Sequence, residues 1–309
     1  MKNEVTDYDL FGYDYSSYWK NRGYENLAEK NVLNKIFREE TGIWFLDIGG
    51  SYGRLTSTYY PSYSNPIICD FSMKTLQKNR DSILSRYPNA ILLAGNAYKL
   101  PFKNNTFDGA LMVRVLHHIE DVPTYFKEIA RVMANNSTYV QEIPNKVHLK
   151  ASIKALLQLN FKFFDKTPYE HPLSNGEGTR EGLKGIFFNY HPKDIKEKLE
   201  EVGFTIKRKY GCSYLRIPFL KKIFNEDIMM FFERIFQNTL SWTNISPSII
   251  FVSKVKKGKK RNITGDLNQI LLCPKCKSDL LFKSSTEAQC KKCKTKYKKE
   301  NDIWDFRVI

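Results

Sequence analysis

From about residue 42 to residue 145, apolar positions come in short blocks separated by amphipathic stretches. "IWFLDIG", "NPIICD", "AILLAG", "FDGALMVRVL" and "STYVQEIP" are near-continuous apolar runs bounded by Gly, Pro, Asp or Asn, the pattern of strands buried on both faces. Between them, "SMKTLQKNRDSILSRY" and "VPTYFKEIARVM" place apolar residues three and four apart, and residues 54–60 begin a further helix after a glycine turn. Strands alternating with helices predict a doubly wound, Rossmann-like α/β sheet. The same helical spacing over residues 24–39 predicts an N-terminal helical cap within residues 1–40.

The rhythm breaks after residue 146. An apolar helix over 149–164 and the loop "NGEGTREGLKG" read as an insertion at about 146–190. "HPKDIKEKLEEVGF" then restores a helix, with Pro192 in its first turn and Gly203 at its end. "TIKRKYG" and "SPSIIFVSKV" add two strands, which brings the expected sheet to seven within a domain spanning 41–255. "KKGKKRNITGD" reads as a charged linker at 256–265, leaving residues 266–309 as a separate small module.

The stretch "FLDIGGSYGRL" at residues 45–55 gives this architecture a candidate site. A strand ending in Asp47, a turn through Gly49, Gly50, Ser51 and Gly53, and then a helix let backbone approach a ligand closely and aim amides at it. Asp70 ends the next strand, where a carboxylate that accepts ribose hydroxyls belongs in such a sheet. A nicotinamide dinucleotide site would show the order G-x-G-x-x-G, whereas the turn here runs D-I-G-G-S-Y-G.

In these residues the chain resembles the class I S-adenosylmethionine-dependent methyltransferases, in particular the small-molecule branch that includes the quinone methyltransferases. "LDIGGSYGRL" is similar to the family's D-x-G-x-G-x-G motif, and "CDFSMKTL" to its ribose-binding strand end. "GNAYKLPFKNNTFDGALMVRVLHHIED" resembles its G-D-A-x-x-L-P-F stretch with L-H-H and D, and "FKEIARVMANNSTYVQEIPN" its following helix and fifth strand. The resemblance covers about residues 41–145 and implies S-adenosylmethionine as cofactor, with the insertion at about 146–190 and the apolar stretch "IPFLKKIFNEDIMMFFERIF" as the expected acceptor cap. It places Asp47 at the cofactor's ammonium through water, Gly49 and Gly53 at the methionine and ribose portion, and Asp70 on the ribose hydroxyls. Phe71 would flank the adenine, Asn96 and the amide of Ala97 or Tyr98 would meet its edge, and Arg114 would reach the methionine end.

Two departures bear on affinity. Ser51 replaces the middle glycine, which is tolerated provided its backbone lies outside the glycine-only region. Asn96 stands where the family has an aspartate; its amide oxygen is also an acceptor, so Asn96→Asp is expected to retain or improve binding.

Methyl transfer from a sulfonium needs alignment first, and a base only when the acceptor is a hydroxyl or a carbon acid. His118, Tyr190 and His191 are the candidate catalytic residues, with His117 beside them; the plainer role for His191, ahead of Pro192, is a helix N-cap. No N-P-P-Y or D-P-P-Y string and no Pro-Cys dipeptide in the core point to an exocyclic amine or a cytosine carbon as acceptor. Cys69 and Cys212 read as inert buried thiols.

The tail carries different chemistry. Cys273 and Cys276 in "CPKC" and Cys290 and Cys293 in "CKKC" have the spacing of two zinc knuckles, which implies a structural, four-thiolate Zn site in a ribbon. "NQILLCPKCKSDLLF" and "CKKCKTKYKKENDIWDF" also resemble the small zinc-ribbon activator subunits of tRNA methyltransferases, so the ribbon is expected to pack on the catalytic domain in cis. Trp304 and Phe306 would contribute to that contact or to the ribbon's interior.

Charge adds one alternative. The chain carries a formal net charge of +16, and from Lys254 onward 16 basic residues face 6 acidic ones. Such a tail suits a polyanion, so an RNA-directed methyltransferase with the ribbon as its RNA arm stands beside the favoured small-molecule, lipid, quinone or glycan-type acceptor. Lys275, Lys277, Lys291, Lys292 and Lys294 also offset thiolate charge locally. No transmembrane segment and no basic, apolar leader are apparent, and paired CxxC motifs fit a reducing compartment, so a cytoplasmic location is expected.

Overall fold

The computed structural model describes residues 17–19, 21–170, 187–258 and 265–308. Its strands are β1 (Gly42–Ile48), β2 (Tyr63–Asp70), β3 (Ile91–Ala94), β4 (Phe107–Met112), β5 (Met133–Pro144), β6 (Tyr169–Glu170), β7 (Phe188–Asn189), β8 (Phe204–Cys212), β9 (Ser248–Val255), β10 (Leu280–Phe282), β11 (Glu287–Cys290), β12 (Lys296–Glu300) and β13 (Ile303–Asp305). Its helices are α1 (Gly23–Phe37), α2 (Thr56–Tyr59), α3 (Met73–Arg86), α4 (Val122–Val132), α5 (Leu149–Leu157), α6 (Pro192–Glu201), α7 (Pro218–Ile223), α8 (Glu226–Thr239) and α9 (Leu267–Ile270). The Gly-rich loop "NGEGTREGLKG" lies outside the described residues, as do most of the first 40 residues' leading half and the middle of the charged linker.

Local chemistry sets the helix starts. Ser72 and Asp121 cap α3 and α4 by accepting from the Thr75 and Thr124 N–H groups, and Asn225 does the same for α8. Pro123 fits the first turn of α4, where no intrahelical donor is needed. Along β1 the side chains alternate between two cores: Trp44, Leu46 and Ile48 pack with Tyr125, Phe126 and Ile129 of α4, while Phe45 packs with Val32 and Ile36 of α1. The central strand is therefore apolar on both faces, as its sequence requires.

The sheet runs β10-β11-β12-β13-β3-β2-β1-β4-β5-β9-β8. Strands β3, β2, β1, β4 and β5 are parallel, and β9 is antiparallel to both β5 and β8. Seven of the eleven strands are those expected. The other four, which correct that count, come from the C-terminal module: β10 to β13 form an antiparallel meander, and β13 adds to the free edge of β3 in parallel, pairing Trp304 with Leu93 and Asp305 with Ala94.

Asn301 and Asp302, at φ 48 and 61, make the tight turn between β12 and β13, and Arg80 of α3 bonds both residues. Backbone continues the contact beyond β13, where the Phe306 N–H donates to the Ala94 carbonyl at 2.8 Å. On the other side of the module the Leu272 N–H donates to Pro101, and Lys277 reaches the Leu100 carbonyl and Glu128. Lys277 is thus committed to the docking contact instead of only balancing thiolates. Ile270, Leu271, Trp304 and Phe306 share one core with Leu93, Tyr98, Leu100 and Phe102.

Because that core is continuous, Trp304→Ala is expected to remove about 3–5 kcal/mol from a single cooperative unfolding transition of the whole chain. Urea denaturation followed by circular dichroism and by tyrosine fluorescence checks this. Two separated transitions, or an unchanged midpoint, would mean that the module and the sheet fold independently.

Candidate functional site

The strand ends β1 and β2 and the segment after β3 converge on one cleft, which opens to solvent. Gly49, just past β1, has φ 72, and a Cβ there would lie 2.2 Å from Cγ2 of Val115. The turn therefore excludes a side chain at that position. Gly53, at φ 73, directs the chain toward α2. Ser51 adopts φ 48, a left-handed conformation that favours glycine yet admits other residues at a cost of roughly 1–2 kcal/mol.

Asp70 fixes the turn. Its Oδ2 accepts from the Ser51 N–H at 2.9 Å and its Oδ1 from the Ser72 N–H at 2.9 Å. A carboxylate offers about four acceptor sites, of which these two amides take two. The Gly49 N–H donates to the Cys69 carbonyl at 2.7 Å, which ties the glycine turn to the end of β2.

A largely buried charge cluster reaches the cleft through Arg54 and Arg114, which line it. Glu29 of α1 pairs with Arg54 at 2.7 Å and accepts from Nε of Arg114 at 2.6 Å, and the Arg54 guanidinium lies 3.7 Å from the Trp19 ring centroid. Burial opposes ionisation of Glu29, but the Arg114 and Arg54 guanidiniums outweigh it and hold the carboxyl below its usual range. Asp47 is the opposite case. Burial pushes it up to about 7 despite the hydrogen bond donated by Tyr59 at 2.8 Å and the nearby Arg54.

Asp47, Gly49, Gly50, Ser51, Asp70, Phe71, Ala97, Arg114 and His118 all line this cleft. Arg114 is half-buried with φ 61, and its N–H donates to Glu142. Tyr98 is core: its N–H donates to Oδ1 of Asn96 and its hydroxyl accepts from the Asp121 N–H. Tyr190 is buried with its hydroxyl donating to the Ile119 carbonyl, and Nδ1 of His191 accepts from the Lys193 N–H at 3.1 Å, the N-cap role. Neither lines the cleft, so of the three candidate catalytic residues only His118 does. His117 packs against His118 and Phe187, and burial holds it well below the usual histidine range, hence neutral.

Asn96 has a partner the sequence did not suggest. Its Nδ2 donates to the Val308 carbonyl at 3.1 Å, from the end of the C-terminal module. An aspartate there would set a carboxylate oxygen against that carbonyl, so the gain expected from Asn96→Asp disappears. Glu29 and Arg54 were also missed. The available signal was the alignment of Glu25 and Glu29 with the apolar stripe Val32 and Ile36 of α1, which places carboxylates on a buried face.

The four tail cysteines are brought together as spaced. Their sulfurs lie within 4.8 Å of one another, with Cys273 to Cys293 at 3.6 Å and Cys276 to Cys290 at 3.4 Å. A tetrahedral four-thiolate ion with metal to sulfur bonds of about 2.3 Å needs sulfurs about 3.8 Å apart. The cluster fits such an ion, and the four cysteines could bind a metal. Lys277 and Lys294, each following the second cysteine of a pair, turn the knuckles with φ 57 and 60.

Five parallel strands β3-β2-β1-β4-β5 followed by the reversed β9 and by β8, with a glycine turn and an acidic strand end on one cleft, have the architecture of a class I S-adenosylmethionine-dependent methyltransferase domain. Residues 46–140 match the family model described as "Methyltransferase domain", and this chain is a methyltransferase of that cofactor class. An uncharacterized protein of Methanocaldococcus jannaschii is 24% identical over 72% of this chain and 85% of its own length. The demethylmenaquinone methyltransferase of Corynebacterium kroppenstedtii is 30% identical over 39% of this chain and 50% of its own. Among solved structures, one chain from a complex between the Haloferax volcanii Trm112 methyltransferase activator and its methyltransferase partner has a TM-score of 0.52 at 13% identity. It aligns over 79% of this chain and 99% of its own.

Asp70→Ala is expected to weaken S-adenosylmethionine binding by roughly 1.5–3 kcal/mol, the scale of a charged hydrogen bond. Titration calorimetry checks it, and an unchanged affinity would remove Asp70 from the ribose. Asp47 gives the cleft a pH dependence. With its carboxyl titrating at about 7 in the unliganded fold, the acid is neutral below that pH, and pairing with the cofactor's ammonium must release its proton. Cofactor affinity should therefore fall as pH drops below about 7, by up to about tenfold per pH unit. Proton release is read from calorimetry in buffers of differing ionisation heat; affinity flat between pH 5 and 8 would separate Asp47 from the ammonium.

Proposed function

We propose that this chain transfers the methyl group of S-adenosylmethionine to an apolar small molecule of the lipid or quinone type. The carrying observation is the wall around His118. Val113, Val115, Ile119 and Leu55 line the same cleft as His118, and its two carboxylates, Asp47 and Asp70, stand at the strand ends read as holding the cofactor, which leaves apolar side chains for the acceptor. The demethylmenaquinone methyltransferase similarity supports the same acceptor class over the shared stretch. Asp70 holds the ribose, Phe71 and the peptide at Ala97 meet the base, and Arg54 and Arg114 offer positive charge to the cofactor's carboxylate. The sulfonium supplies an activated methyl, so the chain's task is alignment, with His118 the group placed to take a proton from an acceptor hydroxyl or carbon acid.

In this reading the cysteine cluster holds a structural zinc ion, with Cys273, Cys276, Cys290 and Cys293 as its ligands. Zinc makes the small module rigid enough to serve as the permanent cover of the β3 edge, an activator carried in cis. The test is incubation of the full chain with radiolabelled cofactor and a fractionated cell extract. Label is expected in the organic-soluble fraction. Label recovered in RNA would overturn the apolar acceptor and favour a basic RNA arm instead.

A further inference from the structure

Helix α8 is inside out. Its buried face carries Glu233 and Gln237 beside Met229 and Met230, while its exposed face carries Ile228, Phe231, Phe232 and Ile235. These four exposed positions follow the spacing of a single helical stripe, the pattern an amphipathic helix normally turns inward. The orientation is enforced by hydrogen bonds: Glu233 accepts from the Tyr24 hydroxyl and from the Ser213 and Tyr214 N–H groups, and Gln237 donates to the Ala28 carbonyl. Rotating the helix to bury its phenylalanines would strand these polar groups.

The neighbouring segments share the habit. On α5, Leu149, Ile153, Leu156 and Leu157 are exposed at helical spacing, and Leu157 is 81% exposed. Around α7, Ile217, Phe219, Ile223 and Phe224 are exposed. Trp242, just beyond α8, is 79% exposed. The pieces adjoin: the Leu149 N–H donates to the Ile245 carbonyl at 3.0 Å, and Asn145 bonds the Asn244 and Ser246 carbonyls. Most of the exposed large apolar side chains among the described residues therefore lie on two segments, 149–161 and 217–242, that meet at one loop. Lys150, Lys154, Lys162 and Lys222 stand exposed among them, against the exposed carboxylates Glu226 and Asp227 at the start of α8.

We propose that this face docks on the surface of a lipid bilayer that contains anionic headgroups. Lysines set among phenylalanine and leucine side chains suit the boundary between headgroups and acyl chains, and an indole left in water suits the headgroup level. A second copy of the chain fits less well, because an isologous contact would set these lysines against each other. No helix among the described residues is long and apolar enough to cross a membrane, so the contact is interfacial. A bilayer contact of this kind would bring the chain to where an acyl-anchored acceptor resides. For that purpose, the proposal rests on the apolar-acceptor reading, whereas vesicle binding is measured with no acceptor present and succeeds or fails independently.

The test is flotation of the full chain with phosphatidylcholine vesicles with and without phosphatidylglycerol, beside sedimentation equilibrium without lipid. The protein is expected to float with the phosphatidylglycerol vesicles and to be released by salt. Phe231→Gln combined with Phe232→Gln and Trp242→Gln should lower vesicle affinity at least about tenfold with cofactor affinity unchanged. Lys150→Glu with Lys154→Glu should lower it while sparing the apolar stripe. Absence of flotation would overturn the proposal. So would a lipid-free dimer that the phenylalanine variant dissociates, since the face would then be a contact between copies.

Discussion

A parallel sheet cannot leave its edge in water without cost, and the pairing of β13 with β3 meets that constraint here. Only two registered residue pairs make it, Trp304 with Leu93 and Asp305 with Ala94, yet both partners depend on it. The β3 edge gains a strand, and the C-terminal module, too small to enclose its own core, gains Tyr98, Leu100 and Phe102 as neighbours. The chain beyond β13 continues along the segment that leaves β3, so the module ends at Asn96, between Gly95 and Ala97, which line the cleft. Docking and cleft geometry are thereby joined through one side-chain amide that donates to Val308 and accepts from Tyr98.

The electrostatics of the cleft follow from the same economy of buried charge. Glu29, Arg54 and Arg114 form a triad that would be costly if any member stood alone. Together they tie α1 to two guanidiniums that line the cleft. Asp47 lacks such a partner and titrates near neutrality, so it is the group whose charge a bound cation would change. The two carboxylates at strand ends β1 and β2 thus differ in kind: Asp70 is spanned by backbone amides, and Asp47 is held by a tyrosine hydroxyl in a desolvated site.

Most of the central sheet was legible because buried parallel strands are long apolar runs, and the glycine turn was legible because close backbone approach leaves few residue choices. The strand count was not. β13 has three residues, too few for any period to emerge, and its partner lies more than two hundred residues away in sequence. Distance in sequence also hid the Asn96 to Val308 bond, so a substitution that looked neutral by donor and acceptor chemistry acquires a cost from tertiary context. Tyr190 and His191 sit beside the insertion in sequence, which suggested the acceptor; the Ile119 carbonyl and the α6 N-terminus claim them instead. Among the histidines, only strand-end geometry separates His118, on the cleft, from His117, packed behind it.

The segment "EDIMMFFERIFQNT" shows why pattern alone could not settle which face of α8 is buried. Apolar residues fill seven of its fourteen positions and fall on both faces, Met229 and Met230 on one and Ile228, Phe231, Phe232 and Ile235 on the other, so composition alone does not choose the buried side. Hydrogen bonding decides the matter. Glu233 can receive the Tyr24 hydroxyl and two backbone N–H groups only when it points inward, and burial then raises its pKa, which these donors partly offset. A buried carboxylate is a costly way to orient a helix, and an apolar face turned to water adds to the cost. Both become intelligible if the outer face is selected by what it meets in the cell, with the polar network holding it in place.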